Sequence, residues 1–163
     1  LIILLSISVP ILTGFTAKPA PLKSADKLYS LIESIDASKP ALAMVAMDFG
    51  PGTHAENEPQ AEVVVEHLLR RRVKFAVFSI VPVAEPFLSS VPERVARRLM
   101  EEHPKEKWEY GNDWVNLGYK PGGDLWVQAL SRSESLAEFL GKDVYGNNLS
   151  MLDRKSTRLN SSH

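Results

Sequence analysis

Ala41-Leu42-Ala43-Met44-Val45-Ala46-Met47-Asp48 and Val73-Lys74-Phe75-Ala76-Val77-Phe78-Ser79-Ile80-Val81 decide the fold. Both runs are short, nearly free of charge and bounded by turn signals, Ser38-Lys39-Pro40 before the first and Pro82 after the second. Such runs fit strands buried on both faces. Between them, Glu56 to Arg71 repeats Ala61, Val64, Val65, Leu68 and Leu69 at helical spacing. Glu56, Glu58 and Glu62 crowd its start and Arg70, Arg71 and Arg72 its end, an order that complements the helix dipole. The triple-arginine end reads most simply as a solvated helix terminus, with contact to anionic lipid as the other reading. A strand, a helix and a second strand in this order predict a parallel pair joined by a right-handed crossover.

The pattern extends outward from that unit. Ser24 to Ile35 predicts a helix, with Ser24 as its cap and Leu28, Leu31, Ile32 and Ile35 as its apolar stripe. Pro86 to Glu102 predicts another, interrupted near Pro92 and stopped at His103-Pro104. Trp108 to Asp113 reads as a turn and Trp114 to Tyr119 as a third strand. Asp124 to Leu130 and Ser133 to Leu140 read as short helices. This alternation predicts an α/β domain with a Rossmann-like or flavodoxin-like parallel sheet, of which about three strands are visible. Open sheets of this kind usually have more strands, so the sheet is expected to be incomplete.

Composition narrows the chemistry. The chain has no cysteine, which excludes disulfides, thiolate catalysis and cysteine-based zinc sites. Its formal charge is −1; the last eleven residues hold three basic and one acidic residue, and without them it is −3. Nothing in that balance points to a nucleic-acid partner.

Leu1 to Phe15 is an apolar run without charge. A bilayer takes roughly 20 apolar residues to cross, so the run fits the distal part of a transmembrane helix. A signal-peptide core and a buried core segment are the rival readings. The first of these is disfavoured because Phe15-Thr16-Ala17 is a poor cleavage site, with the bulky Phe15 where a small residue is wanted. The expected organisation is a truncated membrane helix over 1–15, a linker over 16–23, an incomplete α/β domain over 24–152 and a non-native tail over 153–163. The expected location is a membrane, by a single N-terminal span, with the side of the domain undetermined.

Ligands of open α/β sheets bind beyond the carboxyl ends of the strands. Three segments are expected to converge there: Asp48 with the loop to Thr53, Ser79 to Val83, and Gly118 to Gly123. The candidate ligand-binding residues are Asp48, Thr53, Ser79, Tyr119, Lys120, Gly122 and Gly123. Asp48 ends an apolar strand, where a carboxylate serves a metal, a base or, more simply, a helix cap or loop amides. Gly118-Tyr119-Lys120-Pro121-Gly122-Gly123 opens a helix, where free amides and a lysine attract anions. Its glycine spacing is neither that of a Walker loop nor that of the dinucleotide fingerprint, and a turn that needs glycine for geometry alone explains it as well. His54 and Glu56 beside Asp48 do not form a recognised metal motif. Ser79 lacks the Gly-x-Ser-x-Gly elbow of hydrolases. No catalytic residue, metal site or cofactor is assigned.

Two stretches carry a resemblance. They are Met47-Asp48-Phe49-Gly50-Pro51-Gly52-Thr53, with the following helix to Arg70, and Tyr110-Gly111-Asn112-Asp113-Trp114-Val115-Asn116-Leu117-Gly118-Tyr119-Lys120-Pro121-Gly122-Gly123. Together they resemble an uncharacterised family of bacterial membrane-anchored α/β proteins. The resemblance implies an N-terminal membrane helix, an α/β domain and further hydrophobic segments downstream, and no activity. Asp153 to His163 resembles the translation of a sequencing-library adapter at all eleven positions. The function expected is that of a membrane-tethered, non-catalytic α/β domain, with the lipid bilayer and a membrane protein as partners. The alternative is a small-ligand or anion binder, or a metal-dependent enzyme, with its site at the strand ends.

Overall fold

The computed structural model describes residues 3, 8, 12–14, 22–39, 41–133 and 135–149. The chain divides into two compact units, residues 1–31 and 32–163. In chain order the elements are α1 (Lys23–Glu33), β1 (Leu42–Ala46), α2 (His54–Arg70), β2 (Lys74–Ser79), a short 3-10 turn (Pro82–Ala84), α3 (Glu85–Glu102), β3 (Trp114–Tyr119), α4 (Asp124–Arg132) and α5 (Leu136–Leu140). The strands form a three-stranded parallel sheet in the order β1-β2-β3. The α/β class and the parallel pairing therefore follow the sequence pattern.

The membrane location is corrected. Among the described residues no helix is long and apolar enough to cross a membrane, so the single N-terminal span is not supported. Most of residues 1–15 and of the linker 16–23, and the whole tail 153–163, lie outside the described residues.

The sheet is packed on both faces. Phe75, Val77 and Trp114 face one core with Val65, Leu68 and Leu69 of α2 and Leu88, Val91, Val95 and Leu99 of α3. Ala76, Phe78, Val115 and Leu117 face the other, with Leu140 and Leu149 and the partly buried Trp126 and Leu130 of α4. Alternate residues of each strand go to opposite faces, which is why these strands read as continuous apolar runs.

α3 is continuous through Pro92, where the sequence predicts a break. Proline removes the N–H that would bond the carbonyl four residues back. Pro92 is nevertheless buried between Val91 and Val95 in the core-facing stretch, so packing holds the helix across it.

Glu58, Glu62 and Glu66 repeat every fourth residue on α2 and meet Arg94 and Arg98 of α3. Arg94 pairs with Glu58 and, at 2.8 Å, with Glu62; Arg98 pairs with Glu62 at 3.2 Å and with Glu66 at 2.8 Å. Burial opposes the charge on Glu66, but its bonds from Arg70 and Arg98 prevail and hold its pKa below the ordinary carboxylate value. The glutamates read as dipole partners thus also join two helices.

The triple-arginine end is engaged rather than simply solvated. Arg70 pairs with Glu66 at 2.7 Å and Glu102 at 2.8 Å, and Arg71 donates to the Glu33 carbonyl at 3.1 Å. Arg72 turns the chain at φ 56°, with Arg72 N–H donating to Leu69 O and Val73 N–H to Leu68 O, both at 3.0 Å. Glycine usually fills this left-handed closing position of a helix. Here the arginine side chain offsets the strain: it pairs with Glu106 at 2.6 Å and lies 4.3 Å over the Trp108 ring.

Candidate functional site

The three segments expected at the carboxyl ends of the strands do converge. Asp48 follows β1, and its Oδ1 accepts hydrogen bonds from Ser79 Oγ at 2.8 Å and from Ile80 N–H at 2.9 Å. Ser79, fully buried at the end of β2, accepts from Val81 N–H at 3.0 Å and offers its carbonyl to Lys120 N–H at 2.7 Å. One serine therefore links the ends of all three strands. The Asp48 carboxylate bonds the loop after the neighbouring strand, not the first turn of its own following helix.

The remaining candidates are placed around this link. Thr53 precedes α2 without a side-chain capping bond, and its carbonyl accepts from Asn57. Tyr119 pairs with Ser79 across the sheet and is 38% exposed. Lys120 is half-buried, which lowers its pKa, and its Nζ lies 5.9 Å from the Trp126 ring centre. Gly122 at φ 104° and Gly123 at φ 53° lead into α4, which starts without a side-chain cap. A side chain would strain both positions, so geometry alone accounts for these glycines.

His54 is committed locally: its Nδ1–H donates to the Pro51 carbonyl at 2.7 Å and its ring stacks on Phe87 at 6.0 Å. Among the described residues no group of three or more histidines, aspartates or glutamates is placed to hold a metal ion.

A second polar cluster was not anticipated from the sequence. Asp143 is 7% exposed and accepts from Tyr110 Oη at 2.8 Å, Tyr145 N–H at 2.9 Å, Asn147 N–H at 2.8 Å and Asn147 Nδ2 at 3.1 Å. Tyr110 Oη in turn accepts from Asn116 N–H at 3.2 Å. The buried Asn116 side chain donates to Ser89 Oγ at 2.8 Å and accepts from Gly118 N–H at 2.8 Å. Burial, together with the negative Asp143, pushes the Tyr110 phenol above its ordinary range, so it stays a donor at neutral pH. The one signal in the sequence was Asn116 inside an apolar strand, since a buried amide requires partners. Gly118 has φ 74°, and a Cβ there would lie 2.7 Å from Val144, so the strand can bend under this loop only as glycine.

The arrangement at the strand ends is thus a set of mutually bonded groups. Replacing Asp48 by alanine leaves the Ile80 amide without its acceptor and the buried Ser79 hydroxyl with only the longer bond to the Val81 carbonyl, at 3.1 Å. The expected cost is about 1–2 kcal/mol of stability, read by urea denaturation. A loss of only a few tenths would mean that Asp48 is not a structural link and is held for something else.

No protein-family model, no curated protein and no solved structure matches this chain.

Proposed function

We propose that this chain is a non-catalytic α/β domain that works by binding a protein partner through the surface built after β3. The observation that carries the reading is the run of apolar side chains left open there. Leu125 is 73% exposed and Val127 41%, and Leu136, Phe139, Val144 and Tyr145 are open as well. The surface is anchored rather than loose: the Trp126 ring lies 5.0 Å from Phe78 of the sheet and 5.8 Å from Phe139 of α5. Open apolar side chains concentrated on an ordered scaffold mark interaction sites. The use of Asp48, Ser79 and Asn116 as structural links supports the same reading. A Rossmann-like or flavodoxin-like winding belongs to this proposal, because α2 and α3 cover one face of the sheet and α4 the other.

The test is affinity isolation of the full chain from the cells that encode it, as wild type and as the double variant Leu125→Asp, Phe139→Asp. A stoichiometric partner is expected with the wild type and with the surface control Lys105→Glu, and not with the double variant. A partner held equally by all three, or none at all, would remove the proposal.

A second reading, an anion site at the start of α4, is favoured by the half-buried Lys120 beside Gly122 and Gly123. It requires that phosphate or pyrophosphate raise the melting temperature, as any ligand of the native state does. The effect must disappear in Lys120→Gln.

A further inference from the structure

The fold treats the two outer edges of its sheet differently. The edge of β3 is occupied by the chain itself. Val144 N–H donates to Asn116 O at 3.0 Å, Gly111 N–H donates to Trp114 O at 2.7 Å, and Tyr110 Oη takes the Asn116 N–H. The edge of β1 is not treated so. Met47 N–H points inward, to Phe78 O at 2.9 Å. Amide direction alternates along a strand, so Leu42, Met44 and Ala46 turn their N–H and C=O outward. Among the described residues no hydrogen bond reaches these groups.

Open edges are normally guarded by charge, proline, a bulge or a covering segment. Leu42-Ala43-Met44-Val45-Ala46 has no charge and no proline, and its pairing with β2 is regular throughout. Leu42 to Val45 are half-buried and Ala46 is exposed.

We propose that this edge is a self-association surface, at which β1 of two copies pairs antiparallel about a twofold axis and joins two three-stranded sheets. A twofold contact needs a patch complementary to itself. β1 meets that need, since in either copy an apolar residue faces an apolar residue. The flanking charges select the antiparallel direction. Lys39 precedes β1 and the exposed Asp48 follows it; Asp48 Oδ1 stays on Ser79 and Ile80, so antiparallel strands bring the Lys39 end of one copy toward the negative charge of Asp48 in the other without requiring a new ion pair. Parallel strands would set like charges together. Lys39 now pairs with Asp36 at 3.1 Å, but both side chains are exposed, and such a pair is worth only about 0–1 kcal/mol. The contact uses none of the α4 and α5 surface, so it stands or falls independently of the partner-binding proposal.

Sedimentation velocity of the full chain over a concentration series tests it. The expected result is a species of twice the 18.1 kDa chain mass that dissociates on dilution. Ala46→Lys places a charge on the edge, and Ala46→Pro removes an outward N–H. Each is expected to weaken dimerisation by about tenfold or more, a change of about 1.4 kcal/mol, with an unchanged far-ultraviolet spectrum. Leu125→Asp is expected to leave the dimer intact. Hydrogen exchange gives a readout without any variant: the amides of Met44 and Ala46 should gain protection as wild-type concentration rises. A wild-type chain that stays monomeric, a dimer unaffected by both Ala46 variants, or amides whose exchange ignores concentration would each overturn the assignment.

Discussion

Trp108→Ala is expected to cost about 3–5 kcal/mol of unfolding free energy, the range for truncating a buried large aromatic. Trp108 is 3% exposed and packs in the core with Leu69 and Trp114. Its Nε1–H donates to Leu69 O at 2.9 Å. That carbonyl lies in the last turn of α2 and also accepts from Arg72 N–H at 3.0 Å, so the indole N–H takes its second lone pair. The Arg72 guanidinium covers the other side of the ring. One side chain therefore fills core volume, adds a second bond to a helix-end carbonyl and seats the arginine that closes the helix. Trp108→Phe separates these parts: it keeps most of the volume, loses the hydrogen bond and should cost roughly 1–2 kcal/mol. Urea denaturation of both variants gives the comparison. A Trp108→Ala loss near 1 kcal/mol would show that the core closes over the gap.

Asp143→Ala is the second large effect, expected at about 2–4 kcal/mol because it removes a buried acceptor that several partly buried donors share. Tyr110 Oη and the amides of Tyr145 and Asn147 all lose their partner. The segment that covers the edge of β3 through Val144 should then loosen, and hydrogen exchange at Val144 should accelerate. The same carboxylate predicts an acid dependence. Burial works against its charge, but bonds from the Asn147 amide, Tyr110 and Tyr145 prevail, and its pKa falls below the ordinary 3.8. A carboxylate whose pKa is lowered by folding contributes stability that is complete above its unfolded value and is lost as pH falls through the folded one. The wild type should therefore lose more stability than Asp143→Ala as pH is lowered from neutrality to below about 3.8. Equal acid sensitivity in the two proteins would contradict this.

Continuous apolar runs and helical spacing are local properties, and they were legible. The three strands and the helices around them fall within a few residues of where apolar runs, prolines and charge order place them. Asp48, Ser79 and Lys120 were also legible as neighbours, because parallel strands joined by helices put every strand's carboxyl end on one side. What those residues do there was not legible. Whether Asp48 faces a cleft, a cap or the Ser79 hydroxyl depends on the register between β1 and β2, which no local pattern encodes. The same holds for Trp108 and Asp143. Trp108 stands in a stretch that reads as a turn and Asp143 in one to which no element was assigned, and both are buried only because distant segments close over them.

By itself, then, the sequence determined the α/β class, the order of the elements and the absence of cysteine chemistry. These follow from residue identity and short-range periodicity. Tertiary structure alone decided that the polar groups at the strand ends bond one another, that the arginines closing α2 are paired, and that, among the described residues, β3 has a covered edge while β1 does not. Each of these is a contact between residues far apart in the chain, set by how the elements pack.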